Sequence, residues 1–230
     1  MKDLTVIFLT ASETPQEFAK YQLDTLLKAI GDTYLITVSR KPMTIGKNIL
    51  DTYEKSYINI YRQMLIAARE AETPYVAMAE DDVLYPKEHF TFYRPQLDIF
   101  AYDRSRWSIY LWKPEVFSLK QRRSNCTLIA PRELLIKALE ERFEKYPDQS
   151  SYLPNKEKFI GEVGRNNYER HLGLTEWKNE DVHCNVPCIH FNHPTGTDFK
   201  MNGSRKRLGE IKAYDIPYWG KAVDIAKLYK

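Results

Sequence analysis

Apolar residues recur along this chain in two rhythms. Thr5-Val6-Ile7-Phe8-Leu9, Tyr34-Leu35-Ile36-Thr37-Val38 and Tyr75-Val76-Ala77-Met78-Ala79 are short, nearly continuous runs of the kind that form strands buried on both faces. Between them the spacing lengthens. Phe18, Tyr21, Gln22, Leu23, Leu26, Leu27 and Ile30 make a stripe with a period near 3.6, ended by Gly31-Asp32, and Ile58, Ile60, Tyr61, Met64, Leu65 and Ala68 make a second, ended by Thr73-Pro74. Strand, helix, strand, helix, strand predicts a mostly parallel sheet with helices on its faces. Ligands of such sheets gather beyond the carboxyl ends of the strands.

Past residue 100 the rhythm changes. Trp107 to Trp112 alternates like a strand, and Cys126-Thr127-Leu128-Ile129-Ala130 reads as another. Pro131-Arg132-Glu133 opens a helix to about Phe143, and a short helix is expected around Asn167 to Leu172. Val186 to Phe191 is a late strand, followed by the loop-rich stretch from Asn192 to Lys206. There is no internal repeat.

The third apolar run ends in Glu80-Asp81-Asp82. Strand alternation places Glu80 and Asp82 on one side and Asp81 on the other. Carboxylates clustered at a strand end repel one another unless a cation is present, and hard oxygen ligands there suit a divalent ion holding a phosphate-bearing substrate. Ordinary surface acids before Pro86 are the competing reading.

Composition adds bounds. With 230 residues, 43% of them hydrophobic, the chain is long enough for one sizeable core, and a single domain over residues 1–230 is expected. No run reaches the roughly 20 apolar residues of a membrane-spanning helix, no signal-peptide pattern follows Met1, and the three cysteines are too few for a disulfide framework. Those features lead to the expectation of a cytoplasmic protein. The net charge of +3 is mild, although Arg104, Arg106, Arg122 and Arg123 are interleaved with an aromatic middle that includes Phe90, Phe92 and Tyr93. Aromatic series at strand spacing are mostly core, yet they also stack on sugars or nucleobases.

The order of these features resembles the GT-A class of nucleotide-sugar glycosyltransferases, over about residues 4–130. The resemblance implies a Rossmann-like α/β fold whose first part, about 1–100, binds the donor and whose second, about 101–230, binds the acceptor and carries a C-terminal basic loop. It implies donor contacts from Thr10, Ala11 and Ser12 in the first loop, from Arg62 on the helix before the acidic strand, and from Asp81 toward the ribose. Glu80-Asp81-Asp82 then stands as the D-x-D-like motif for Mn²⁺ or Mg²⁺, with Glu80 where an Asp is usual, so that Asp82 and Glu80 are the metal ligands. A late His in this class completes the metal site, which points to His190, with His193 as a rival. Lys200 or Arg205 would grip the diphosphate.

For an inverting transfer, a carboxylate must deprotonate the acceptor hydroxyl. Glu162, between Gly161 and Gly164 in a turn a ligand can approach closely, is the expected base, and Glu169 the alternative. A retaining enzyme needs neither. His183, Cys184 and Cys188, with His190 and His193 nearby, also have spacings seen in structural zinc sites, but they fall within eleven residues rather than in two separated pairs. The function expected is metal-dependent sugar transfer from a nucleotide-diphosphate donor to a hydroxyl of a saccharide, a lipid-linked glycan or a modified nucleobase of DNA. The alternatives are a nucleotidyltransferase, disfavoured by the lack of glycine between Thr10 and Gln16, and a non-catalytic glycan- or nucleic-acid-binding module.

Overall fold

The computed structural model describes residues 2–119, 121–152, 159–193 and 211–230. A seven-stranded sheet carries β1 (Leu4–Thr10), β2 (Tyr34–Ser39), β3 (Lys47–Leu50), β4 (Tyr75–Glu80), β6 (Ile99–Asp103), β9 (Leu128–Pro131) and β10 (Lys178–Val182) in the order β10-β6-β9-β4-β1-β2-β3. Its pairings are parallel except those of β9, which runs against both β4 and β6. This is the mostly parallel, helix-flanked α/β sheet that the apolar runs predict.

Every residue of β1 is buried, because helices cover both faces of the sheet. On one face α2 (Tyr57–Glu70) and α4 (Arg132–Lys145) pack Met64, Leu65, Leu135 and Leu139 against Ile7, Met78 and Leu128. On the other, α1 (Gln16–Ile30) packs Leu26, Ala29 and Ile30 against Leu4, Val6 and Phe8. α1 stops at Gly31, whose φ of 55° lies in the left-handed region that glycine enters without strain. Among the described residues, no helix is long and apolar enough to cross a membrane.

Several elements escaped the pattern reading. β3 has four residues, none of them buried, so it lacks an apolar run; it is held beside β2 partly because Gly46 lets the chain pass close to the Leu35 carbonyl. β6 and the polar β10 were also missed. The expected strand at Cys126 begins as a short 3₁₀ turn, Asn125–Thr127, and becomes β9 only at Leu128. The late strand is β11 (Ile189–Asn192).

β11 belongs to a second sheet, ordered β12-β8-β7-β11-β5, with β5 (Val83–Leu84), β7 (Trp107–Tyr110), β8 (Lys113–Leu119) and β12 (Ile211–Ala213). The small hairpin β13 (Asp215–Ile216) and β14 (Gly220–Lys221) and the helix α6 (Ala222–Ala226) close the chain. β4 ends at Glu80 and β5 begins at Val83, so Asp81 and Asp82 form the turn by which the chain leaves the large sheet and enters the small one. That turn is clamped. The buried Gln22 of α1 donates through Nε2 to the Glu80 carbonyl at 3.2 Å and the Val83 carbonyl at 3.0 Å. Tyr85 Oη accepts from the Glu80 amide at 3.0 Å and donates to the Cys126 carbonyl at 2.9 Å.

Replacing Gln22 by Leu keeps the volume of the clamp and removes its donor from two carbonyls. Urea unfolding of Gln22→Leu is expected to show a loss of about 1–3 kcal/mol, the cost of buried acceptors left without partners; an unchanged midpoint would show that the turn does not need the clamp.

Candidate functional site

Parallel register brings the carboxyl ends of four strands to one edge. Leu9 pairs with Glu80, Thr10 with Ser39, and Ser39 with Leu50. The segments leaving those strands, together with the N-terminal turns of α2, enclose a cleft of about 130 Å³. It is lined by Thr10, Ala11 and Glu13 after β1, Arg40 after β2, Lys55, Ser56, Asn59 and Gln63 from the start of α2, Glu80, Asp81 and Asp82 after β4, and His193 after β11.

All three acids line this one cleft, which corrects the expectation that Asp81 points the opposite way from its neighbours. The reason is local: strand geometry ends at Glu80, and the turn swings Asp81 back toward β1, where its Oδ2 accepts from Thr10 Oγ1 at 2.5 Å. Thr10 Oγ1 in turn accepts from the Ser12 amide at 2.9 Å, while Ser12, with φ of 56°, is not among the lining residues. Burial, with the adjacent Asp82 charge, pushes the Asp81 carboxyl up to about 7. Burial also works against Asp82, but the imidazoles of His190 and His193 outweigh it and hold that carboxyl well below the usual range. Neighbouring acids with affinities driven apart form a polarised pair, one of which holds a proton near neutrality.

Among the described residues, the cleft lining is short of positive charge. Glu13, Glu80, Asp81 and Asp82 line it against Arg40 and Lys55, an excess of two negative charges when all four acids ionise. Lys55 and Glu13 are themselves paired. Asp82 Oδ1 is buried and has no partner among the described residues. An orphaned carboxylate oxygen beside a second acid and an imidazole is a donor set that suits Mn²⁺ or Mg²⁺.

His190 and His193 divide differently from the expectation. Antiparallel pairing of β11 with β5 sets His190 opposite Val83, and the Phe191 amide donates to the Asp82 carbonyl at 2.8 Å. His190 Nε2 therefore reaches Asp82 Oδ2 at 3.2 Å. Its other nitrogen, Nδ1, lies 2.9 Å from Nη1 of the buried Arg106, with Asn192 Nδ2 at 3.2 Å. A guanidinium only donates, so Nδ1 accepts, the imidazole proton sits on Nε2, and that proton is given to Asp82. A nitrogen carrying a proton is not a metal ligand. His190 orients Asp82 in this arrangement, whereas His193, with Nε2 at 3.6 Å from Asp82 Oδ2, is the histidine that lines the cleft.

Two other expectations are corrected by position. Arg62 is not among the lining residues; its Nη2 donates to the Pro147 carbonyl at 2.7 Å and its guanidinium covers the rings of Tyr53 and Phe143. Glu162 is not among the lining residues and is bonded to Arg165 at 3.3 Å. Glu169 is buried in α5 (Asn166–Leu172), where it accepts from the Gly164 amide at 2.6 Å and the Trp177 amide at 3.3 Å. It holds the Gly161–Gly164 turn and does not face the acids. Lys200 and Arg205 lie outside the described residues.

Residues that the sequence reading missed surround the cleft. Asp51, just after β3, accepts from Asn59 Nδ2 at 2.7 Å and Gln63 Nε2 at 2.6 Å, with Arg40 Nη1 at 3.8 Å. Recognising β3 and applying the strand-end rule to β2 and β3 would have singled out Arg40 and Asp51. The spacing expected of three metal ligands is met elsewhere among the described residues, at His89, Asp103 and Cys188.

No family model matches the chain, and no curated protein matches it. Among solved structures, it is similar to a mannosyltransferase from Pyrobaculum calidifontis in complex with GDP-Man and Mn²⁺ (14% identity, 84% of this chain and 58% of that one, TM-score 0.47). It is also similar to a putative nucleotide-diphospho-sugar transferase from Desulfovibrio desulfuricans (10% identity, 90% and 92% coverage, TM-score 0.44). A third likeness is to the bifunctional IspDF of Campylobacter jejuni (11% identity, TM-score 0.41), of which the chain spans half the length. At TM-scores below 0.5 these likenesses are too slight to assign chemistry, which is read from the side chains of this chain.

Burial raises the Glu169 carboxyl from 4.5 to about 7. The folded chain therefore binds more protons than the unfolded one between those values, and stability falls as pH rises through that window. Glu169→Gln is expected to flatten the pH dependence of urea stability between about pH 5 and 7, by up to roughly 3 kcal/mol, leaving a comparable slope from Asp81, whose carboxyl is also raised to about 7. A slope identical to wild type would show that Glu169 is ionised throughout.

Proposed function

We propose that the acid cleft binds the diphosphate of a nucleotide sugar through a divalent cation, and that the protein transfers the sugar to a hydroxyl acceptor. The observation that carries this reading is the buried, unpartnered Asp82 Oδ1 in a cleft with an excess of carboxylates. A bare diphosphate would be repelled there; a diphosphate carried with Mn²⁺ or Mg²⁺ would not.

Asp82, Glu80 and His193 would hold the ion, which when bound neutralises charge on the departing diphosphate. The chain's own residues prepare that arrangement. His190, backed by Arg106, keeps the Asp82 carboxylate turned so that Oδ2 is occupied and Oδ1 is left to bind. Thr10 holds Asp81, whose raised proton affinity limits its repulsion with Asp82 and would fall beside a bound cation. Ser56 caps α2 by accepting from the Asn59 amide at 3.2 Å, so the positive end of that helix faces the cleft and favours phosphate. Arg40 and Lys55 add positive charge at the donor's side. The acceptor class stays as broad as a saccharide, a lipid-linked glycan or a modified nucleobase, and Glu13, the lining carboxylate outside the acid triplet, is paired with Lys55.

The test is incubation with a panel of nucleotide sugars and Mn²⁺. Release of nucleoside diphosphate that EDTA abolishes is expected, with turnover falling on the order of 100-fold or more in Asp82→Asn and His193→Ala. Arg62→Ala is expected to stay close to wild type. Pyrophosphate release from a nucleotide triphosphate would favour the nucleotidyltransferase reading, and thermal stabilisation by glycan or oligonucleotide without turnover the binding module. Turnover that persists in EDTA would overturn the metal role.

A further inference from the structure

A second set of metal-type ligands lies behind the acid turn. His89, in α3 (Lys87–Thr91), Asp103, at the end of β6, and Cys188, just before β11, are fully buried, and one ligand atom of each lies within 4.8 Å of the others. His89 Nδ1 is 3.0 Å from Asp103 Oδ2. Cys184 lies beside the set: its amide is 3.4 Å from Asp103 Oδ1, and burial with the nearby Asp103 charge pushes its thiol up. Three separate segments thus deliver an imidazole, a carboxylate and a thiol to one buried spot, with a second thiol beside it.

Two further observations call for a ligand. His89 Nε2 is buried without a hydrogen-bond partner among the described residues. Arg106, 2% exposed and near enough to Cys188 to stabilise a thiolate, also has Nε and Nη2 without partners. A buried guanidinium needs an anion nearby, and neutral thiols do not supply one. A zinc ion would. Tetrahedral zinc with bonds of about 2.0–2.3 Å sets its ligand atoms roughly 3.3–3.8 Å apart, so His89, Asp103 and Cys188, already within 4.8 Å of one another, need to draw in by about 1–1.5 Å at most, and Cys184 turns its side chain in as the fourth ligand.

We propose that His89, Asp103, Cys184 and Cys188 form a closed structural zinc site. On binding, each thiol gives up its proton to solvent, and the imidazole coordinates as the neutral base. Two thiolates and a carboxylate leave the zinc centre with one excess negative charge, which Arg106 balances. All four positions are filled by protein, so the site is structural. It would fasten the segment before β11 to α3, where Glu88 already accepts from the amides of Asn185 and Val186 at 3.1 and 2.9 Å. That segment aims His190 at Asp82. Histidine and aspartate from distant segments replace His183, which the local spacing alone had offered.

The zinc site stands independently of what the cleft binds, and the test keeps the two apart by using the Asp82→Asn variant as the parent. After removal of metal by chelator, this protein is expected to take up about one zinc per chain, measured by mass spectrometry of the metal, and to unfold at a higher temperature with it. Cobalt in place of zinc is expected to give a thiolate-to-metal charge-transfer band. Cys184→Ser and Cys188→Ser in the same parent are expected to lose the band and the zinc, while Cys126→Ala, which changes the third buried cysteine, keeps both. If the serine variants do not fold, the cobalt spectrum of the parent decides. A parent that binds no zinc and gives no thiolate band, or a double serine variant that binds zinc as well as the parent, would overturn the proposal.

Discussion

Two half-buried aspartates stand side by side in a turn between sheets, and most of the surrounding structure answers that constraint. Unscreened carboxylates in contact cost several kcal/mol in a poorly solvated setting, so each needs a separate means of support. Asp81 is paired with Thr10 and holds a proton near neutrality. Asp82 is paired with His190 and flanked by His193. Gln22 and Tyr85 hold the main chain on either side, because a turn with charged side chains has little apolar contact to keep its shape.

The small sheet explains why this geometry is possible. β5 is only two residues long and too short to be stable by itself, yet it accepts β11 as a partner and so carries His190 to within hydrogen-bond distance of an acid 108 residues earlier. Arg106 then sets the imidazole tautomer from behind. This chain of contacts, from a buried guanidinium through an imidazole to a carboxylate, converts one backbone pairing into the orientation of a single oxygen. The same Arg106 borders the cysteine cluster, so the charge balance of the two regions is shared.

Much of the large sheet is legible in the linear pattern. β1, β2, β4, α1 and α2 each carry a run or stripe strong enough to identify them, since buried parallel strands need continuous apolar residues and covering helices need one apolar face. The acid triplet is equally visible, as is the rule that ligands collect at that edge. What escaped were elements whose sequences lack a hydrophobic signature: β3, with no buried residue, and β10, Lys178-Asn179-Glu180-Asp181-Val182, which is polar because it forms the sheet's edge. Missing β3 also hid Asp51 and its contacts with Asn59, Gln63 and Arg40.

Periodicity, then, was enough to specify the core strands, their covering helices and the place where carboxylates would collect, because burial of apolar side chains acts locally and repeats with the backbone. It could not say which histidine orients Asp82 and which faces the cleft, that Arg62 would be drawn off to Pro147, or that His89 and Asp103 would meet Cys188. Those outcomes depend on hydrogen bonds and charge pairs between segments up to a hundred residues apart. Such pairings leave no period in the chain and come into being only when the two sheets have closed on the turn between them.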